Sequence, residues 1–242
     1  SNKVAYGHRR RYYTGRQLDG VMNYELRRGI LQFLRHHDPA ALRYALTEVM
    51  PNTPRRILNC QMNLIGTHDT MRILTALAGE VPEGHSNDEL AQMRLDEMQR
   101  KTAVERLKMA YTILATLPGV PMIYYGDEVG MEGYSDPFNR RPFPWQYMDT
   151  AVLEHYRSVG RVRHARPEYR NGAFRLLHLD ADILAYMRTD GEHTSYVLVN
   201  NGDDTVTFAL PCGKWRDLMV AGTACDGIFT VLPHTATVLA KE

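Results

Sequence analysis

Residues 118–128 read Pro-Gly-Val-Pro-Met-Ile-Tyr-Tyr-Gly-Asp-Glu, and this stretch decides the fold class. Pro118 and Gly119 break the helical pattern that precedes them, and residues 120–125 form a nearly continuous apolar run. An apolar run without alternation is typical of a strand that is covered on both faces in a parallel sheet. The polar residues Asp127 and Glu128 then mark the carboxyl end of this strand.

Two similar strand-and-helix units precede this strand. Residues 17–24 predict a short strand, and residues 25–37 a helix with apolar residues at helical spacing. Residues 57–65 predict a second strand, followed by helices over 70–78 and within 87–117. Three units without antiparallel signals predict an α/β fold with a parallel sheet. Because three strands cannot close a barrel and an open sheet leaves unpaired edges, we expect further units before residue 1.

The pattern changes after Asn171 and Gly172, where apolar residues begin to alternate with polar ones. Turn dipeptides, among them Asp226-Gly227, separate the alternating runs. This pattern predicts an antiparallel β-sandwich domain over residues 172–242, after an α/β domain over residues 1–171. The predicted strands are Arg175–Leu179, Ile183–Arg188, Ser195–Asn200, Thr205–Leu210, Lys214–Met219 and Thr235–Leu239.

Composition restricts the partners. The chain has 242 residues and a net charge of +1, so its overall charge favours neither nucleic acid nor an anionic membrane. The basic run at residues 8–11 is short and isolated, and no apolar run reaches the roughly 18 residues that a membrane span needs. Cys60, Cys212 and Cys225 have no CxxC spacing, which indicates neither a disulfide framework nor a zinc site. We expect reduced cysteines and a cytoplasmic location, with any signal peptide upstream.

Polar residues at the carboxyl ends of parallel strands are the expected place for a site. His68 and Asp69 follow the second predicted strand, and Asp127 and Glu128 follow the third. Adjacent residues on an extended segment point in opposite directions, so we interpret Asp127 and Glu128 as structural supports. For Asp69, the residues alone leave two readings equally open, which are a helix cap before Thr70 and a functional carboxylate.

Three motifs favour the functional reading. Residues 63–69, with Thr70 and Arg72, resemble the fourth conserved region of the alpha-amylase family, and residues 119–128 resemble its eighth barrel strand. Residues 136–145, Asp-Pro-Phe-Asn-Arg-Arg-Pro-Phe-Pro-Trp, are similar to the loop after that strand in the neopullulanase, maltogenic amylase and cyclomaltodextrinase branch.

The opening of the chain carries the same likeness. Residues 1–24, from Ser-Asn-Lys-Val-Ala-Tyr-Gly at 1–7 through Met-Asn-Tyr at 22–24, resemble the stretch just beyond the family's acid-base glutamate. The resemblance therefore covers essentially the whole chain, in order. It implies the last three βα units of a (β/α)8 TIM barrel, followed by an all-β C-terminal sandwich domain.

The resemblance also implies a chemistry, the cleavage of α-glucan oligosaccharides with retention. Such cleavage needs a carboxylate nucleophile and a carboxylic acid about 5 Å apart, and in this family both lie on barrel strands that precede this chain. By carry-over, Asp69 is the third, transition-state-stabilising carboxylate, and His68 donates to the same sugar. Asp136 and Arg140 would bind the next glucose, and Arg72 would orient the substrate-binding site. We expect no cofactor, and any calcium site would lie in the part that precedes this chain.

Purely structural roles for these residues, and other functions for the chain, are also open. Asp136 and Arg140 could form a surface ion pair, and Arg72 could be a solvated helix charge. Tyr134 and Phe138 could stack on sugars, although loop aromatics more often pack. The rivals at the level of function are a metal-dependent phosphohydrolase, suggested by residues 36–38 and His68-Asp69, and a non-catalytic protein on an amylase scaffold. A partial barrel exposes strand edges, so we expect the chain to self-associate.

Overall fold

The computed structural model describes residues 10–13, 17–79, 84–220 and 224–241. Within these ranges, a three-stranded parallel sheet with its helices precedes a six-stranded antiparallel sheet. Residues 1–7, which carry part of the family resemblance, and most of the basic run at 8–11 lie outside the described residues.

The parallel sheet has its strands in chain order. It consists of β1 (Met22–Asn23), β2 (Met62–Leu64) and β3 (Val120–Met122), with β2 in the centre. Asn23 pairs with Asn63, and Asn63 pairs with Pro121, so the three carboxyl ends lie at the same edge of the sheet. In the part of the chain that the structure describes, β1 and β3 each have a strand neighbour on one side only. The predicted α/β class is confirmed.

Helices follow these strands as the apolar spacing predicts. The first, α1, begins directly after β1, where the Asn23 side chain accepts a hydrogen bond from the main-chain N–H of Leu26 at 3.3 Å. Its inner face buries Leu26, Ile30 and Phe33. The helices are α1 (Tyr24–His36), α2 (Ala40–Tyr44, continued by a π-helical turn at Ala45–Val49), α3 (Arg55–Cys60), α4 (Ile73–Ala78), α5 (Asn87–Gln92), α6 (Glu97–Thr116), α7 (Thr150–Ala165) and α8 (Glu168–Asn171).

The second predicted strand is wrong over its first half. Residues 55–60 form α3 instead, which begins after Pro54, and the Pro54 carbonyl accepts from the main-chain N–H of Leu58 at 2.9 Å. Proline is well suited to the start of a helix because its missing N–H has no helical partner to lose. The strand is therefore confined to Met62–Leu64. A short apolar run does not by itself distinguish a strand from a buried helix.

The C-terminal part is all β, as predicted, and its strands form one hydrogen-bonded antiparallel sheet. The predicted strands Thr205–Leu210 and Lys214–Met219 merge into one long strand with a register shift between Ala209 and Lys214. The turn expected at residues 226–227 is wrong, because that dipeptide lies inside a strand. The strands, in chain order, are β4 (Ala173–Leu179), β5 (Ile183–Thr189), β6 (Thr194–Asn200), β7 (Val206–Asp217), β8 (Ala224–Val231) and β9 (Thr235–Lys241). Within the sheet they lie side by side in the order β4-β5-β6-β9-β7-β8.

The helices and the antiparallel sheet share a hydrophobic core. Arg188 of β5 is fully buried and donates to the Thr116 carbonyl at 2.6 Å and to the Glu168 carbonyl at 2.9 Å. The rings of Tyr111 and Tyr156 stack at 3.7 Å and join α6 to α7. Among the described helices, none is long and apolar enough to cross a bilayer. The shared core therefore joins the helices around the parallel sheet to the antiparallel sheet.

Candidate active site

The carboxyl ends of the parallel strands bring His68 and Asp69 together with a tyrosine from α1. His68 Nε2 lies 3.1 Å from Asp69 Oδ1, and the two side chains are 56% and 57% exposed. The Tyr24 hydroxyl donates to Asp69 Oδ2 at 3.4 Å. An exposed carboxylate with an imidazole and a phenol beside it has free lone pairs for hydroxyl groups of a ligand.

Asp69 does not cap a helix. No helix begins at Thr70, since α4 begins at Ile73 and its N-cap residue is Arg72, which makes no side-chain capping bond. The carboxylate contacts other side chains, and the main-chain N–H of Asp69 donates to the Thr67 hydroxyl at 3.1 Å. The capping interpretation of Asp69 is therefore wrong, which leaves its carboxylate available at the surface.

The turn that carries His68 and Asp69 is anchored from the loop after β3. The side-chain amide of Asn139 donates to the carbonyl of His68 and to the carbonyl of Thr70, both at 2.8 Å. Asn139 is fully buried on a short 3-10 helix, Phe138–Arg140. The Asn139 side chain thus links the two loops for which the sequence predicts sugar binding.

The second predicted pair forms an exposed ion pair. Arg140 Nε lies 3.3 Å from Asp136 Oδ1, and the side chains are 46% and 62% exposed. This geometry fits both a sugar-binding pair and a surface ion pair, so the sugar-binding role stays a prediction. Tyr134 is buried, and Phe138 is half-buried with the Arg141 guanidinium 5.6 Å from its ring centre. For these two aromatic residues, the packing interpretation fits better.

Arg72 lies beneath the site, where its side chain is inaccessible to solvent. Its guanidinium lies over the rings of Tyr124 and Tyr125, at 4.3 Å and 4.4 Å from their centres, and donates to the Tyr125 carbonyl. Its main-chain N–H donates to the Gly133 carbonyl at 2.9 Å. The solvated-charge interpretation of Arg72 is therefore wrong. The geometry fits the expected role of Arg72 in orienting the substrate-binding site, and this role stays a prediction.

Asp127 is the buried partner of Arg72. Asp127 and Glu128 lie on a 3-10 turn, Asp127–Val129, so the extended segment expected for them is wrong. Burial raises the pKa of Asp127 to about 7, although the guanidinium of Arg72, 3.5 Å away, acts in the opposite direction. A Cβ at Gly66, two residues after β2, would lie 1.8 Å from Asp127 Oδ2, which explains why this position is a glycine. Asp127 thus supports the floor of the site.

Sequence reasoning missed Tyr24 and Asn139. Polar residues at the carboxyl ends of parallel strands are candidates for a site, and this criterion indicated His68 and Asp69 after β2. Tyr24 directly follows β1, so the same criterion indicates Tyr24 as well. Asn139 belongs to the loop motif at residues 136–145, but nothing in its spacing indicates that its side chain contacts a turn about 70 residues earlier in the chain. Only the folded chain shows this contact.

The metal-dependent alternative finds no support in the described part of the chain. No group of three or more His, Cys, Asp or Glu side chains that could hold a metal ion occurs there. His36 ends α1, and His37 pairs through Nδ1 with Asp182 of the C-terminal part at 2.5 Å. The two motifs that suggested a phosphohydrolase therefore serve other contacts.

A model of the alpha-amylase catalytic domain matches residues 3–171. The chain belongs to the alpha-amylase family. Cyclomaltodextrinase from Geobacillus thermopakistaniensis is 29% identical over 220 residues, which are 87% of this chain and 34% of that protein. Neopullulanase 2 from Thermoactinomyces vulgaris is 31% identical over 219 residues, which are 86% of this chain and 34% of that protein.

Solved structures of the alpha-amylase family give the same result. A ligand-free cyclic alpha-maltosyl-(1→6)-maltose hydrolase from Arthrobacter globiformis superposes with a TM-score of 0.75 at 29% identity, and the match covers 96% of this chain and 47% of that one. The family resemblance inferred from the motifs is thus confirmed. This chain spans about a third to a half of the length of these three relatives.

Proposed function

We propose that the protein to which this chain belongs is a retaining glycoside hydrolase that acts on α-1,4-linked glucans such as starch, maltodextrins, cyclodextrins and pullulan. The observation that carries the proposal is the exposed His68–Asp69 pair at the carboxyl end of β2, in a chain of the alpha-amylase family. Relatives named cyclomaltodextrinase and neopullulanase support this class of substrate.

In this proposal, Asp69 accepts hydrogen bonds from hydroxyl groups of the sugar at the cleavage subsite. Its negative charge stabilises the positive charge that develops on that sugar in the transition state. His68 donates to the same sugar, and Tyr24, whose hydroxyl is 3.4 Å from Asp69 Oδ2, keeps the carboxylate oriented. At the neighbouring glucose, Asp136 accepts and Arg140 donates hydrogen bonds.

Retaining cleavage also requires a nucleophile and a general acid. We place both in a part of the protein outside these 242 residues, because neither family motif occurs in this sequence. Residues 1–171 would then be the C-terminal part of the catalytic barrel, and residues 172–242 a separate β-domain. The isolated chain would have little or no hydrolytic activity, since one remaining carboxylate only stabilises charge.

The test uses the complete gene product and the 242-residue chain side by side. With β-cyclodextrin and maltotetraose as substrates, we expect the complete protein to release sugars whose new ends are initially α-anomers, as followed by proton NMR. We expect no turnover by the 242-residue chain. A β-anomeric product, or robust hydrolysis by the 242-residue chain, would contradict the proposal.

A non-catalytic protein on the amylase scaffold is the remaining alternative. It predicts that the complete protein lacks an aspartate and a glutamate at the family's other two catalytic positions and shows no turnover. The sequence upstream of Ser1, read together with the assay, separates this alternative from the proposed hydrolase.

A further inference from the structure

Asn139 stands out among the polar side chains near the site because it is fully buried and bridges two loops. Its amide nitrogen donates to the carbonyls of His68 and Thr70, which are the residues on either side of Asp69. These bonds therefore hold the main chain on both sides of the proposed transition-state-stabilising carboxylate.

The orientation of the Asn139 amide follows from its neighbours. Both contacts are carbonyl oxygens, which only accept, so the NH2 group must face them. The other amide atom, Oδ1, is buried without a hydrogen-bond partner. An unpaired buried acceptor costs about 1–3 kcal/mol. An apolar side chain would avoid that cost, so packing alone does not account for asparagine here.

Asn139 also shares its short helix with Arg140, the arginine of the second predicted sugar-binding pair. The same loop also lies close to the start of α4. Within the loop, Gly133 approaches the Phe138 carbonyl so closely that a Cβ at Gly133 would lie 2.4 Å from its oxygen. The Gly133 carbonyl in turn accepts a hydrogen bond from the main-chain N–H of Arg72, the N-cap residue of α4. A displacement of the helix Phe138–Arg140 would therefore move Arg140 and release the turn at Asp69 together.

We propose that Asn139 is a positioning residue, which fixes the Asp69 carboxylate relative to the Asp136–Arg140 pair by clamping the His68–Thr70 turn. The inference rests on the proposed function for its effect on catalysis, whereas the clamp itself is a property of the fold. Loss of the clamp weakens an interaction made in the transition state, so it lowers kcat more than it raises KM.

The test is Asn139→Asp, which keeps the shape of the side chain and replaces the donor with an oxygen that repels both carbonyls. Asn201→Asp is the matched control, because Asn201 is also buried and its amide donates to two carbonyls, those of Phe33 and Leu34, at 3.1 Å and 3.4 Å. In the complete protein, we expect Asn139→Asp to lower kcat about 10- to 100-fold with KM changed less than about threefold. Asn201→Asp, although similarly destabilised, should keep its kcat within about twofold of the unsubstituted protein.

A second readout does not depend on activity. Hydrogen exchange of residues 67–72 should accelerate in Asn139→Asp and stay unchanged in Asn201→Asp. Equal kcat in the two variants, or unchanged exchange at residues 67–72 in Asn139→Asp, would overturn the inference. If the unsubstituted complete protein hydrolyses no α-glucan, the proposed function fails, and the exchange measurement still decides whether Asn139 clamps the turn.

Discussion

The guanidinium of Arg72 lies 3.5 Å from the carboxylate of Asp127, and both side chains are buried beneath the exposed His68–Asp69 pair. The two charged groups come from different loops, one after β2 and one after β3. Removing one partner of a buried ion pair leaves an uncompensated charge in a region of low dielectric constant. The floor of the site is therefore sensitive to pH and to substitution.

Asp127 should make the stability of the chain depend on pH. Its pKa is raised from 3.8 to about 7 in the folded state because of burial. Between these values the folded state binds the proton more tightly than the unfolded state, so this group lowers the free energy of unfolding as pH rises from about 4 to about 7. The decrease is at most about 4 kcal/mol. Urea denaturation across this pH range measures it.

The control for this prediction is Asp127→Asn, which keeps the shape and removes the titration. The difference in unfolding free energy between the original chain and this variant should vary with pH in the same window. A difference that stays constant from pH 4 to pH 8 would show that Asp127 does not titrate there.

Two arginine–aspartate pairs of this chain allow a direct comparison of buried and exposed charges. Arg72→Met should cost about 3 kcal/mol of stability at pH 8, because Asp127 loses its partner in the interior. Arg140→Met should cost less than about 1 kcal/mol, since its pair with Asp136 is exposed. Chemical denaturation compares the two, and equal losses would contradict the buried-pair account. Adding Asp127→Asn to Arg72→Met should recover part of the loss.

Gly66 should tolerate no side chain. Gly66→Ala would bring a methyl group to 1.8 Å from Asp127 Oδ2, so the Arg72–Asp127 pair must move, and we expect a loss of about 1–3 kcal/mol. Gly160→Ala in α7 is the control, because nothing lies within 4 Å of its added methyl group. This control should gain about 0.5–1 kcal/mol. Thermal unfolding distinguishes the two, and a neutral Gly66→Ala would contradict the packing.

The 242-residue chain should self-associate. In its described part, β1 and β3 each have an unpaired edge, and the apolar residues Met62, Val120 and Ile123 beside them are each at least 40% exposed. Light scattering should therefore show a mass that increases with concentration. A monomer across the whole concentration range would contradict this expectation.

Much of the fold could be predicted because the relevant signals are local. The apolar spacing in residues 25–37 predicts α1 (Tyr24–His36) to within a residue at each end. The strands were harder to predict, because β2 and β3 are only three residues long and the first four residues of the run at 57–65 belong to α3. The Asp226-Gly227 dipeptide favours a turn locally, yet pairing with β7 keeps it within β8.

The site could be predicted in part. The position of His68 and Asp69 follows from their place at the end of an apolar run, which a single sequence shows. The burial of Arg72 could not be predicted, since the rings of Tyr124 and Tyr125 that cover it lie more than 50 residues away in the chain. The hydrogen bonds that the Asn139 side chain donates could not be predicted either, because their acceptors are main-chain carbonyls, which every residue has.

The role of Asp69 is tested most directly by comparing Asp69→Asn with Asp203→Asn in the complete protein. Each aspartate is exposed and pairs with a histidine, Asp69 with His68 at 3.1 Å and Asp203 with His234 at 3.0 Å, so both substitutions remove a similar surface charge. We predict that Asp69→Asn lowers kcat/KM for maltotetraose at least about 100-fold, and that Asp203→Asn leaves it within about twofold. An Asp69→Asn variant as active as Asp203→Asn would contradict the central claim.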